Sequence, residues 1–400
     1  MTDRRILTEN RWVGFWGMDR RKFLLGAAAA PAALAGADTA RIAAVPPTEH
    51  ARAVASELLI AGFSGSDARS PSAQALAAQI RDGSVGGVVF VKDNIGDRDD
   101  VLGLTSLFSV AAPRKTIIAI DHEGGAVQRL VEAHGCDVLP SARRVAQQLT
   151  IAEAQALYSE AGSAIARLGF NLNLAPVVDL ENANNPAIGQ YGRSFSADPE
   201  IVTAFAGAFI RGFEAAGVCC VLKHFPGQGG AKGDSHEVAP DISSAWSQAD
   251  LLPFRRLVDD GGAAAVMSGY SVLRTVAPAG RPAALSREIV AGLLRSELAF
   301  DGVAMTDDLD MGAVGFGFAR RSAVLDALAA GNDALMVRNR RNYDSTLPVT
   351  VASWISEGLD YGTLTIDSLN KSVDRIRRLR NKLGQTTQPV SVRSSSSETR

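Results

Sequence analysis

The 400-residue chain is 46% hydrophobic and 21% charged, enough apolar material for one large globular core or two smaller ones. Its 41 basic and 43 acidic residues leave a net charge of −2, so no basic field marks a nucleic-acid binder, and a small neutral or polar ligand is the expected partner. The three cysteines, Cys136, Cys219 and Cys220, show no CxxC or Cys/His ligand spacing, which argues against zinc and against a disulfide framework.

Near the N-terminus, "MDRRKFLLGAAAAPAALAGADTA" sets Arg20 and Arg21 before an apolar run from Phe23 to Ala37. A basic start, an apolar middle and an A-x-A-like end are the parts of an export signal. The run falls short of the roughly 20 apolar residues that span a bilayer. Residues 1–37 are therefore expected to be a signal resembling the twin-arginine type with an upstream extension, Met18 being a second candidate start. Cleavage is expected near Ala35 or Ala37, giving a monomeric periplasmic protein with no stable membrane span. Residues 38–384 are expected to form one domain, and the polar stretch 385–400 a disordered tail.

Eight short apolar runs read as strands: 58–63, 86–91, 116–121, 172–180, 218–225, 264–270, 303–308 and 333–337. Each is nearly continuously apolar and is followed by a polar or turn-rich stretch, the pattern of parallel strands buried on both faces. Helical patterns lie between them. Thr150 and Glu153 form a capping-box pair ahead of a stripe at Leu157, Ala161, Ile165 and Leu168, with Gly169 as the stop. Further helices are expected over 199–216 and 286–298. Eight strands alternating with helices favour a closed (β/α)8 TIM-type barrel over an open doubly wound sheet. Asp121, Asp179, His224 and Asp307 then all fall at C-terminal strand ends, the face where such barrels place chemistry. Cys219 and Cys220, neighbours on one strand, point to opposite faces as small core residues.

Three stretches carry candidate chemistry. In "AIDHEGGAVQRL", Asp121 and Glu123 end a strand and Arg129 returns to the same mouth, a set able to bind sugar hydroxyls. In "VAMTDDLDMGAV", alternation turns only one of Asp307 and Asp308 to the barrel axis and leaves open which. A carboxylate there can act as a nucleophile. Asp307, Asp308 and Asp310 also resemble a Ca²⁺ or Mg²⁺ set, but further oxygen ligands at matching spacing are too few, and no metal is expected. In "KHFPGQGGAKGDSHEVAP", Lys223 and His224 leave a buried strand, and because Lys223 cannot stay charged in an apolar wall without a partner, a mouth facing solvent or ligand is expected there. A loop rich in glycine and able to move then leads to Asp234 and His236, where a carboxylate beside an imidazole favours general acid chemistry near neutral pH.

Taken in order, "IDHEGGAVQR", "NLNLAPVVDL", "GRSFS", "KHFPGQG…DSH" and "TDDLDMGA" resemble the β-N-acetylglucosaminidase branch of glycoside hydrolase family 3. The resemblance implies a (β/α)8 barrel with no cofactor, Asp307 as nucleophile, His236 as acid/base and Asp234 as its partner. It further implies that Asp121, Arg129, Arg193, Lys223 and His224 bind the sugar. The implied reaction is the removal of terminal β-linked N-acetylglucosamine, with retention, from peptidoglycan- or chitin-derived oligosaccharides. Alternatives on the same barrel are a β-glucosidase, a phosphorolytic variant in which phosphate replaces water, and a sugar-binding protein without turnover. Departures from the family pattern are Thr306 for serine, Gln228 for histidine within Gly227–Gly229, Ala126 for arginine and Tyr270 for histidine, and these bear on substrate preference.

Overall fold

The structure is a computed structural model that describes residues 47–112, 114–234, 239–312, 314, 318–340 and 343–385. The expected export signal, His236 and all but the first residue of the expected tail lie outside the described residues. Eight parallel strands run Leu59–Ala61, Gly87–Phe90, Ile117–Ile120, Leu172–Asn173, Cys219–Phe225, Ala265–Ser268, Val303–Thr306 and Leu335–Val337. Each pairs with its neighbour in chain order. Leu59 pairs with Leu335, and a bridge from Met305 to Ala334 joins the seventh strand to the eighth, which closes a (β/α)8 barrel.

Alternation divides the strand side chains between two cores. Ile60, Val89, Ile117, Ala119, Leu172, Val221, Met267, Met305 and Met336 fill the barrel, while Val88, Phe90, Ile118, Leu222, Val266, Ala304 and Leu335 face the helices. Cys219 joins the inner group and Cys220 the outer, as the alternation requires, and all three cysteines are free and buried. The fourth strand is shorter than expected because Pro176 brings no N–H to the ladder, and only Val177 rejoins it, bridging to Lys223.

Helix Ile151–Arg167 starts at the expected capping box: Thr150 Oγ1 accepts from the Glu153 N–H at 3.3 Å, and a Glu153 carboxylate oxygen accepts from the Thr150 N–H at 2.8 Å. Gly169, at φ +90°, ends the turn in the left-handed region. Helix Pro199–Ala215 packs against it, and its hydrophobic face buries Val202, Phe205, Phe209 and Phe213. The segment expected as an α-helix over 286–298 is wound wider, as a π-helix over Glu288–Glu297, with the Leu298 N–H donating to the Leu293 carbonyl at 2.9 Å. The last helix, Ile366–Lys382, lies across the barrel end where the strands begin. Its Ile376 and Leu379, with Leu383 just beyond, complete the inner core.

Candidate active site

At the other end of the barrel, one cavity of about 180 Å³ is lined by Asp121, Arg129, Arg193, Lys223, His224, Gln228, Asp307, Asp308 and Arg338 among others. That is below the roughly 300–1,000 Å³ of sites that enclose drug-sized ligands, and it suits a single sugar ring better than an extended chain. Asp121, Arg129, Arg193, Lys223, His224 and Asp307 therefore line a single space, while Glu123 and Asp179 stand behind it and Asp234 does not line it.

The floor is a row of paired charges. Lys223 Nζ lies 2.8 Å from Asp121 Oδ1 and 2.7 Å from Glu123 Oε1. Arg193 grips Glu123 with two bonds of 2.8 Å, from Nε and Nη2, and donates from Nη1 to the Ala187 carbonyl at 2.9 Å. Arg129 Nη2 reaches Asp121 Oδ2 at 3.4 Å. A short antiparallel hairpin, His122–Gly124 with Val127–Gln128, turns the chain back so that Arg129 returns to the mouth. Lys223 is buried at 2% exposure, so its charge is held by two carboxylates rather than by an open mouth.

Burial pushes both acids up, but the cations outweigh it. Lys223 and then Arg129 hold the Asp121 carboxyl far below its ordinary value, and Arg193 with Lys223 brings Glu123 down to about 2. Burial pulls the Lys223 ammonium down, while Asp121 and Glu123 pull it up, and the net direction is up. All members of the row are therefore ionised at neutral pH, a fixed pattern of donors and acceptors for hydroxyl groups.

His224 is fixed from behind. Its Nδ1 lies 2.7 Å from Asp179 Oδ2, and Asp179 Oδ1 accepts from the backbone N–H groups of His224 at 3.2 Å and Gln228 at 2.8 Å. The glycine-rich loop is packed in its first half. Asn185 Nδ2 donates to the carbonyls of Gln228 and Gly229 at 2.8 and 3.0 Å, and Gln228 and Ala231 are buried. A Cβ on Gly229 would stand 1.9 Å from the Leu180 carbonyl oxygen, so that glycine serves close backbone approach rather than motion. Asp234 is described and half-buried, whereas its expected partner His236 is outside the described residues.

Asp307 and Asp308 both reach the cavity, which alternation alone did not anticipate, and their neighbours distinguish them. Asp308 is buried, ion-paired with Arg338 Nε, and accepts from the Arg338 N–H at 2.9 Å. Asp307 is half-buried, and its Oδ1 accepts from the Asp308 N–H at 2.7 Å. Its backbone is clamped by the Tyr270 hydroxyl, which donates to the Asp307 carbonyl at 2.9 Å, and by its own N–H on the Ser268 carbonyl at 3.1 Å. Asp310 is ion-paired with Arg320. Among the described residues no group of three His, Cys, Asp or Glu side chains is placed to hold a metal ion.

Sequence reasoning did not single out Arg338, and it placed Glu123 and Asp179 at strand ends without naming the partners that fix them. Glu123 and Asp179 stood in the right stretches, but the pairing that gives them a role spans 70 residues from Glu123 to Arg193 and 45 from Asp179 to His224.

A family profile described as "Glycosyl hydrolase family 3 N terminal domain" matches residues 56–379. A protein named beta-hexosaminidase from Stenotrophomonas maltophilia (strain R551-3) is 36% identical over 305 residues, 72% of this chain and 86% of that protein. One of the same name from Pseudomonas aeruginosa (strain LESB58) is 36% identical over 269 residues, 66% and 77% of the two chains. Among solved structures, a glycoside hydrolase family 3 beta-N-acetylglucosaminidase from Paenibacillus sp. matches with TM-score 0.74 and 30% identity, covering 86% of this chain and 65% of that one. A beta-N-acetylhexosaminidase from Beutenbergia cavernae matches with TM-score 0.74 and 28% identity, covering 83% and 98%.

Proposed function

We propose, because this chain belongs to glycosyl hydrolase family 3, that it removes terminal β-linked N-acetylglucosamine with retention of configuration, through a covalent glycosyl–Asp307 intermediate. The observation that carries the reading is the placement of Asp307 on the same small cavity as Asp121, Lys223 and Arg193, the last two paired with Glu123 behind them. The row and His224 hold the sugar hydroxyls, and the anomeric carbon is presented to Asp307.

In the first step Asp307 Oδ2 bonds to the anomeric carbon as the bond to the aglycone oxygen breaks. Oδ1 is held by the Asp308 N–H, which orients the carboxylate for attack. His236, charged and steadied by Asp234, donates the proton that the leaving oxygen needs. In the second step the neutral imidazole takes a proton from water, the oxygen bonds to the anomeric carbon, and Asp307 leaves as a carboxylate. Two inversions restore the β configuration. Arg20, Arg21 and the apolar run to Ala37 support an exported enzyme acting on cell-wall or chitin fragments.

The test compares 4-nitrophenyl β-N-acetylglucosaminide with the matching glucoside, and wild type with two variants. Asp307→Asn is expected to lose on the order of 10³-fold or more in kcat with unchanged circular dichroism. His236→Ala is expected to lose roughly 10²- to 10⁴-fold on a poor leaving group and far less on nitrophenol, because only the former needs protonation. Equal turnover of the glucoside, an active Asp307→Asn, or equal losses of His236→Ala on both leaving groups would contradict the substrate, the nucleophile or the acid in turn.

A further inference from the structure

The end of the barrel away from the catalytic face carries a second concave site. Glu57, at the end of helix Glu49–Leu58, Arg114 and Lys115, just before the third strand, and Arg377, Arg380 and Asn381 of the last helix line a cavity of about 400 Å³. Among the described residues, four cations there face one carboxylate. Glu57 is shared three ways: it pairs with Arg380 Nη1, lies 3.6 Å from Arg114 Nε and lies 3.5 Å from Arg377 Nε. Lys115 Nζ donates to the Leu383 carbonyl.

Only the Arg380–Glu57 pair is buried, while Arg114 is partly and Arg377 mostly open to solvent, so their charges stay available to a ligand. The C-terminal end of the last helix adds only about half a negative charge. The lining groups therefore keep a surplus of between two and three positive charges. Donors are also left over. Arg380 is 5% exposed; its Nη2 donates to the Gly86 carbonyl at 2.9 Å and Arg114 Nη2 to the Ser56 carbonyl at 2.7 Å, while the Nε of each has no hydrogen-bond partner among the described residues. Burial above all, opposed by Glu57 and reinforced by Arg114 and Arg377, pulls the Arg380 guanidinium down to about 10.

Guanidinium forks around a concave space, with surplus charge and unmatched N–H groups, suit a compact multivalent oxyanion. We propose that this cavity binds a phosphate group, free or as the headgroup of a phosphomonoester lipid, between Arg114, Lys115, Arg377 and Arg380. Occupancy ties the last helix to the bases of the first and third strands and so stabilises the closed barrel by mass action. Substrate and phosphate would then occupy opposite ends of the barrel.

The test uses the full-length protein freed of phosphate. Inorganic phosphate is titrated at constant ionic strength against chloride, following the melting temperature and isothermal heat. The melting temperature is expected to rise, with saturation, and the midpoint concentration to increase at least tenfold in the double variant Lys115→Ala, Arg377→Ala. Neither residue belongs to the catalytic face, so glycosidase activity should be unchanged. Arg380→Lys provides a second variant that keeps the charge but loses the fork, and it should weaken phosphate binding likewise. In parallel, phosphatidylcholine vesicles with and without phosphatidic acid are sedimented with wild type and double variant. A melting shift with free phosphate identifies a soluble source. Sedimentation with phosphatidic acid alone, lost in the double variant, identifies a headgroup. The proposal is overturned if neither probe binds, or if wild type and both variants respond alike.

Discussion

Removing the Lys223 ammonium would leave Asp121 and Glu123 side by side in a buried floor with Arg193 and Arg129 only at their far edges. Breaking a buried pair by deleting one partner typically costs about 3–5 kcal/mol, so Lys223→Met is expected to lose that much in urea unfolding as well as activity. A loss under about 1 kcal/mol would mean the row is wetter than its geometry implies. The same row sets an acid limb of stability. Glu123, at about 2 when folded against an ordinary 4.5, contributes stability that is complete above about 4.5 and lost as pH falls towards 2; Asp121 acts in the same direction. Lys223, with its value raised, adds stability present below its ordinary value and lost only in strong alkali. Urea midpoints taken across pH 2 to 5 should therefore fall steeply for wild type and less steeply for Glu123→Gln; parallel curves would remove Glu123 from the account. Asp121, Lys223, His224 and Asp307 were legible in the sequence because each is a polar residue at the end of an apolar run. Glu123 and Asp179 drew less notice because their partners, Arg193 and His224, lie on other strands and loops.

At the scale of elements, the two helices Ile151–Arg167 and Pro199–Ala215 meet where glycine lets their backbones close. A Cβ on Gly212 would stand 2.7 Å from Tyr158 Cβ and 2.8 Å from the Ser159 nitrogen, and one on Gly162 would stand 2.9 Å from Phe213 Cα. Helix propensity alone favours Gly212→Ala by about 1 kcal/mol. Packing reverses the sign, because the obstructing atoms belong to backbone and to a Cβ that cannot swing aside. Gly212→Ala is thus expected to lower the melting temperature, and a rise would show that the helices slide apart cheaply. Sequence periodicity located both helices and the Thr150–Glu153 cap, since these are local. It did not show the hairpin His122–Gly124 with Val127–Gln128, whose strands are too short to alternate, nor the π winding of Glu288–Glu297, which keeps an apolar stripe that an α-helix would also show.

For the whole molecule, eight buried runs in alternating order made the barrel readable, but not how its far end is sealed. Ile376, Leu379 and Leu383 lie with Ile60, Ile117, Cys219 and Val303 in the inner core, so the last helix is part of the barrel rather than an appendage. Truncation after Leu364 should expose that apolar end, giving dye binding and loss of the cooperative melt; a chain that still melts cooperatively would show that the strands close without it. The helix alone did not reveal this, because its mean hydropathy is low and only three apolar positions in the stretch to Leu383 face inward. The seal also has a consequence in time. Glu57 and Arg380, which meet in it, are 323 residues apart. Synthesis at roughly 5–20 residues per second separates their emergence by on the order of 15 to 65 s. Until the eighth strand, Leu335–Val337, is made, the first strand waits on the ribosome without its mate and with a bare edge. Slow translation of the codons just ahead of the eighth strand should therefore raise the burden on holding chaperones more than the same delay placed before the first.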